Sequence, residues 1–80
     1  MNQPAYHKKI TALNLIRKLF PTNRPPVLDG LSFDADPALY ISARIEHLTK
    51  RLETTKIERV ALCCREDIAT YKSALAALED

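Results

Sequence analysis

The side chains with the chemistry to bind a metal or attack a carbonyl group are two histidines and the adjacent cysteines Cys63 and Cys64. His7 and His47 lie on different segments, and neither stands at helical spacing from the cysteine pair, so no convergent metal-ligand set forms. The same separation leaves no local cysteine–histidine pair for nucleophilic catalysis. Gly30 is the only glycine, which excludes a glycine-rich phosphate loop. The sequence therefore predicts no enzyme activity, no catalytic residues, no metal and no cofactor.

The composition indicates a helical globular protein of the cytoplasm. Apolar residues make up 46% of the chain and aromatic residues only 6%, with a single glycine, which is typical of helical domains. Adjacent cysteines on a helix cannot bridge each other, so two free thiols and a reducing compartment are expected. No apolar run reaches the roughly 18 residues that span a bilayer, and the N-terminus lacks the apolar core of a secretory signal. We therefore expect no membrane partner.

Residues 36–78 carry the strongest helical pattern of the chain. Asp36 is a capping residue, and Pro37 suits the first helical position. No proline or glycine follows Pro37. Apolar residues then recur at steps of three and four, which predicts a helix with a buried face. They form two stripes, the first made of Ala38, Ile41, Ile45, Leu48 and Leu52, and the second of Ile57, Ala61, Cys64, Ile68, Tyr71, Leu75 and Leu78.

A step of five separates the two stripes and turns the apolar face by roughly 140°. In one architecture the chain breaks near residues 53–56 and folds back as a helical hairpin, which Thr55 and Glu58 support as a capping box. In the other, a single helix of about 42 residues shows its apolar face first to one partner and then to another. The break region lacks the residue types that hairpin turns prefer. We therefore expect the continuous helix, residues 37–79, rather than the hairpin.

The predicted fold class is all-α, with a short N-terminal amphipathic helix, a proline-containing linker and the long helix or hairpin in one domain. Because a small domain cannot cover both faces of so long a helix, we expect a homo-oligomeric coiled coil or helix bundle, either a dimer or a dimer of dimers. A monomer covered by its first helix and linker is the alternative. The residues assigned to oligomerisation are Ile41, Ile45, Leu48, Leu52, Ile57, Ala61, Cys64, Ile68, Tyr71, Leu75 and Leu78.

Residues 1–20 predict a basic amphipathic helix, and residues 21–36 a linker whose first part, residues 21–26, is kept extended by its prolines. The first thirty residues hold five basic groups and one acidic group, a net charge of +4, whereas the chain as a whole has +2. Asp29 and Gly30 mark a turn. The apolar linker side chains are expected to pack on the helices, with a short hairpin or a docking segment as alternatives. The candidate partner-binding residues are Tyr6, Lys9, Arg17, Phe20, Leu28, Leu31 and Phe33.

A short stretch of the first helix, Thr-Ala-Leu-Asn at residues 11–14 with Arg17 after it, resembles the Rop family of plasmid copy-number proteins. That family is an antiparallel four-helix bundle that binds paired RNA loops, and the resemblance implies an RNA-facing role for Asn14. The sequence departs from the family pattern in two places. Lys18 stands where the family has a stacking phenylalanine, and the proline linker replaces a short hairpin turn.

The overall build resembles the small antirepressors of temperate phages in size, helical layout and apolar seam. Those proteins are short, helical and oligomeric, and they bind a phage repressor and remove it from its operator. The resemblance implies a regulator that inhibits a DNA-binding protein by protein–protein contact, and it assigns no residue roles. The alternative is RNA or DNA binding through the basic first helix, although the isoelectric point of 8.7 is lower than that of most nucleic-acid-binding domains. A purely structural assembly protein is a third hypothesis.

Overall fold

The computed structural model describes the backbone of residues 5–79 and the side chains of residues 7–79. Three α-helices follow one another along the chain: α1 spans Ala5–Ile16, α2 spans Pro37–Thr54 and α3 spans Glu58–Glu79. A short 3₁₀ turn, Arg17–Leu19, extends α1. Over the described residues the only β-type pairing is a single bridge in the linker. The all-α prediction is confirmed.

The helices form a molecule of 48 × 24 × 20 Å in which α3 packs against both α1 and α2. Ala12 and Ile16, one helical turn apart on α1, are fully buried and fix its inner face. After the 3₁₀ turn the backbone of Phe20 is extended, with φ −117° and ψ 139°. Such a conformation is expected before a proline, so Pro21 ends this helix as predicted.

The start of α2 follows from two residues. One Oδ1 oxygen of Asp36 accepts a hydrogen bond from the backbone N–H of Leu39 at 3.1 Å, and Pro37 occupies the first turn, where a missing N–H costs nothing. This arrangement matches the predicted cap. The buried face of α2 that follows consists of Tyr40, Ile41 and Leu48.

The expectation of one continuous helix over residues 37–79 is wrong, because α2 ends at Thr54 and α3 begins at Glu58. Thr55 has an extended backbone, with φ −77° and ψ 140°, and its N–H closes the last turn of α2 on the carbonyl oxygen of Arg51 at 2.9 Å. Its hydroxyl accepts from the N–H of Ile57 at 3.3 Å, one residue short of the capping-box partner that the sequence suggested. The chain reverses because only then can the two stripes cover each other.

The residues assigned to oligomerisation therefore meet within one chain. Ile41, Leu48, Cys64 and Tyr71 belong to the buried core, and the partly buried Ile45, Leu52, Ile68, Leu75 and Leu78 pack against it. Ile57 differs, since 61% of it is exposed at the break. The argument from an uncovered long helix does not hold for this fold. Whether the protein also self-associates stays a prediction.

The linker is ordered around a tight turn. Leu28 and Leu31 exchange two backbone hydrogen bonds of 2.9 and 2.8 Å, and Asp29 and Gly30 between them have positive φ angles of 50° and 78°. These angles are those of a type I′ turn, which an Asp-Gly pair favours. The linker thus contains the short hairpin alternative, here reduced to one bridge, and Leu28 and Leu31 also pack against the core. Val27 is 65% exposed and does not share this packing.

Two further contacts fasten the linker to α2. The Phe33 side chain is only 3% exposed and meets the ring of Tyr40 edge-on, with 6.1 Å between ring centroids and an 85° angle between the planes. The Tyr40 hydroxyl donates a hydrogen bond to the carbonyl oxygen of Pro26 at 2.6 Å. Because both contacts involve the buried Tyr40, the two ends of the hairpin are held on the same side of α2.

Candidate functional site

The candidate partner-binding residues do not form one surface. The Tyr6 side chain lies outside the described residues. Phe33 is buried in the core, so its ring is not presented to a partner. The Lys9 amine binds Asp34 twice, through the carboxylate at 3.2 Å and the backbone carbonyl at 3.2 Å, and thereby ties α1 to the linker. Arg17 is exposed at the end of α1 and is not part of this contact.

The structure brings Leu28 and Leu31 together, whereas Phe20 lies elsewhere, partly buried against the core. The two leucines form one wall of an open groove of about 340 Å³ between the hairpin and α2. Ala43 lies opposite them on α2. This groove, which we call the hairpin groove, is lined by Leu28, Asp29, Leu31, Ala43, Arg44 and His47.

A second depression continues the hairpin groove along α2. It holds about 270 Å³ and shares Asp29, Ala43 and His47 with the first. Glu46 and Lys50 close its far end, and they bind each other at 3.3 Å across one helical turn. Since both of these side chains are largely exposed, this ion pair contributes little to stability. The surface therefore changes from apolar at the hairpin to polar at Lys50.

Arg44 is the charged side chain at the inner edge of the hairpin groove. Its Nε atom donates a hydrogen bond to the Tyr71 hydroxyl at 3.4 Å, and its guanidinium carbon lies 5.8 Å from the centre of the same ring. Contact with the buried Tyr71 holds the Arg44 side chain against α3. Within residues 7–79 Arg44 forms no ion pair, although Asp67 on α3 is near enough for the charge of the arginine to act on its pKa, so an anion in the groove would bind the guanidinium beside Asp67.

The surroundings of Arg44 change the acidity of its neighbours. Burial raises the pKa of the Asp67 carboxyl above its ordinary value, and the positive charge of Arg44 opposes that effect. Burial likewise raises the pKa of Tyr71, while the hydrogen bond and the charge of Arg44 lower it. In both cases desolvation is the larger cause. Arg44 and Asp67 are both partly buried, so a charge placed beside them is less screened than one on the open surface.

The sequence patterns assigned Ala43, Arg44 and His47 to no binding surface. Arg44, His47 and Arg51 follow one another at steps of three and four along α2, which is the spacing of side chains on one helical face. That periodicity is the signal the sequence offered. It gave no sign of the opposing wall, because Leu28 and Leu31 reach α2 only through the folding of the linker.

The fold places the basic side chains of the N-terminal third in different environments. Lys9 is neutralised by Asp34, and Lys8 is partly buried. Arg17, Lys18 and Arg24 are exposed, and in the described part of the chain none of them forms an ion pair. A cluster of three free cations remains near the end of α1 and the start of the linker.

The remaining reactive groups do not assemble into a site. Cys63 is exposed and Cys64 buried, and both are free thiols. Within the described residues no group of three or more His, Cys, Asp and Glu side chains is placed to hold a metal ion. None of the helices described is both long enough and apolar enough to cross a membrane. Compared with models of known families, with curated proteins and with solved structures, the chain matches none of them.

Proposed function

We propose that this protein is a small regulator that works by binding another protein through the hairpin groove. The observation that supports this most directly is the placement of Leu28 and Leu31, two of the candidate partner-binding residues, along one wall of an open groove. Partly exposed leucines beside a guanidinium are a combination that protein-binding surfaces use, with apolar contact for affinity and an arginine for orientation.

The groove is also suited to binding by its rigidity. Two backbone hydrogen bonds fix the hairpin, and the Tyr40 hydroxyl anchors Pro26 just before it. A surface that is already ordered loses less conformational entropy when a partner docks.

We propose a DNA-binding repressor as the target. The support for it is the resemblance to small antirepressors, which implies such a partner. Displacement of a repressor from its operator would then be the regulatory event. Self-association as a dimer or a dimer of dimers belongs to the same proposal, and light scattering at several concentrations measures it directly.

Site-specific photo-crosslinking tests the proposed surface. A photoreactive amino acid is placed at Ala43, inside the hairpin groove, or at Ala69, an exposed alanine on α3, and the protein is irradiated in the cells that make it. We expect the Ala43 variant to crosslink to one discrete protein and the Ala69 variant to give no such product. Equal products from both positions, or none from Ala43, would contradict the assignment of the groove.

A second candidate function is nucleic-acid binding, and the exposed cluster of Arg17, Lys18 and Arg24 favours it. Unpaired cations of this kind contact phosphates and make binding strongly dependent on salt. A gel-shift assay at low salt with duplex DNA and with structured RNA tests this function. Retention that disappears in the double variant Arg17→Gln, Lys18→Gln would support it, and no retention at low salt would exclude it.

A further inference from the structure

We propose that the hairpin groove selects an acidic segment of its partner, in which an apolar side chain is followed or preceded by a carboxylate. The apolar side chain lies between Leu31 and Ala43, and the carboxylate binds the open N–H donors of Arg44 with His47 beside them. This inference rests on the proposed function and adds the chemistry of the partner.

The size of the groove limits what enters it. Its volume of about 340 Å³ lies near the lower end of the range for ligand pockets, about 300–1,000 Å³. A short extended segment with one inserted side chain fits such a space better than a whole helix does. The adjoining depression of about 270 Å³ gives the neighbouring residues of that segment a place to continue along α2.

The position of Arg44 favours a carboxylate. The Nε atom of Arg44 donates a hydrogen bond to the Tyr71 hydroxyl, which leaves the two terminal nitrogens of the guanidinium as donors. A carboxylate accepts two parallel hydrogen bonds from such a fork. Because the site is partly buried, as the raised pKa of Asp67 also indicates, the attraction is stronger there than on the open surface.

The charges around the groove are mixed, and Arg44 is the cation that lines it. The exposed Arg51 lies on the same face of α2, and Asp67 on α3 is near enough to Arg44 for the charge of the arginine to act on its pKa. Glu46 is engaged by Lys50, so Asp29 is the only lining carboxylate without an ion pair in the described residues. Asp29 stands at the hairpin tip and repels acidic groups there, which sets the direction in which a charged segment lies. A nucleic-acid backbone, charged along its whole length, meets both Asp29 and the leucine wall.

Two matched peptides test the inference. The acidic probe is acetyl-Glu-Leu-Asp-Leu-Glu-amide, and the control is acetyl-Gln-Leu-Asn-Leu-Gln-amide, which has the same shape without the charges. Each is titrated into the isotope-labelled full chain, and the backbone N–H signals of Leu31, Ala43 and His47 are followed by nuclear magnetic resonance. We expect the acidic peptide to bind about fivefold more tightly at low salt, the effect of one or two modest ion pairs, and the difference to shrink at high salt.

Variants separate charge from packing. Arg44→Gln removes the charge and is expected to abolish the preference for the acidic peptide, while Arg44→Lys keeps the charge and retains part of it. Arg65→Gln, an exposed arginine of α3 away from the groove, is expected to leave the preference unchanged. The spectrum of each variant also reports whether the protein is folded, so a loss of binding is not mistaken for unfolding.

The possible outcomes separate this inference from the proposed function. Equal binding of both peptides, or an unchanged preference in Arg44→Gln, would overturn the acidic selection. So would the absence of any shift at Leu31, Ala43 and His47. If photo-crosslinking at Ala43 still captures one protein in those cases, the groove remains a protein-binding surface with a different selectivity. Binding of the acidic peptide together with equal binding of a short single-stranded DNA would reduce the preference to general anion attraction and overturn the inference too.

Discussion

Replacing Phe33 by alanine is expected to destabilise the fold rather than to act on a binding surface alone. The Phe33 ring is 3% exposed and packs edge-on against Tyr40. Removing a buried phenylalanine side chain costs about 3–5 kcal/mol, of which the loss of the aromatic pair accounts for about 0.5–1.5 kcal/mol. A chain of this length has a free energy of unfolding of about 4–12 kcal/mol. The substitution therefore removes a large part of the total stability.

Urea denaturation measures the change in the free energy of unfolding and heating measures the change in Tm, both followed by far-ultraviolet circular dichroism. For a loss of about 4 kcal/mol the Tm falls by about 16–32 °C, because each kcal/mol corresponds to about 4–8 °C in a domain of this size. Phe33→Leu keeps most of the volume and is expected to cost under about 1.5 kcal/mol, so it stays folded under conditions where the alanine variant does not.

Val27 provides the matched control, since it is an apolar residue of the same linker but is 65% exposed. Val27→Ala is expected to change the free energy of unfolding by less than about 0.5 kcal/mol. If Phe33→Ala and Val27→Ala had the same small effect, the linker would not be packed on α2. The contact of Phe33 with Tyr40 would then play no part in the stability of the fold.

Three further predictions follow from burial and acidity. Leu48→Ala should cost about 2–5 kcal/mol of unfolding free energy, whereas Ile57→Ala, at the exposed break, should cost under about 0.5 kcal/mol. Equal losses would mean that Ile57 is as buried as Leu48, as the continuous helix requires. In the native protein a water-soluble thiol reagent should modify Cys63 rapidly and Cys64 only after unfolding, which mass spectrometry of the labelled peptides would show or refute. Burial raises the pKa of Tyr40 and Tyr71 above 10.0, so the native state retains protons that the unfolded chain loses above that pH. The contribution of these two tyrosines to stability should therefore be constant below about pH 10 and fall above it. The fall should be smaller in Tyr71→Phe, measured as urea midpoints between about pH 8 and 11.

Local signals in the sequence were sufficient for the helices themselves. Asp36 and Pro37 predicted the start of α2 because capping depends on a few adjacent residues. The two apolar stripes predicted most of the buried faces of α2 and α3, since periodicity reflects burial directly. Pro21 likewise ended the first helical segment as expected.

The reversal after α2 could not be predicted with the same certainty. Thr55 is acceptable in a helix and in a turn, so local preference did not decide between them. The packing of α3 against both other helices decides that the chain reverses, and the types of residues 53–57 do not reveal that packing. The step of five between Leu52 and Ile57 was the correct sign of a change in direction, but the absence of a turn-forming residue outweighed it in the interpretation.

The site was the hardest part to predict, because it joins distant segments. The apolar side chains of Leu28 and Leu31 predict that they do not lie in a free loop. The same pattern, however, describes a residue that binds a partner and a residue that packs in the core. Phe33 is buried in the core, while the two leucines pack against the core and also line the hairpin groove. Arg44 became part of a groove only when the hairpin reached α2. No local pattern specifies such a meeting.

The central position of α3 has a consequence for how the protein forms during synthesis. Contacts between α1 and α2 are sparse, and α3, which both of them pack against, is translated last of the three helices. At about 5–20 residues per second, α1 waits roughly 3–13 s before all of α3 has been made. Helical domains fold in microseconds to milliseconds, far faster than this wait. The apolar face of α1 thus stays available to chaperones for most of that interval and that of α2 for its last part, and the ribosome, rather than the folding barrier, sets when the native protein appears.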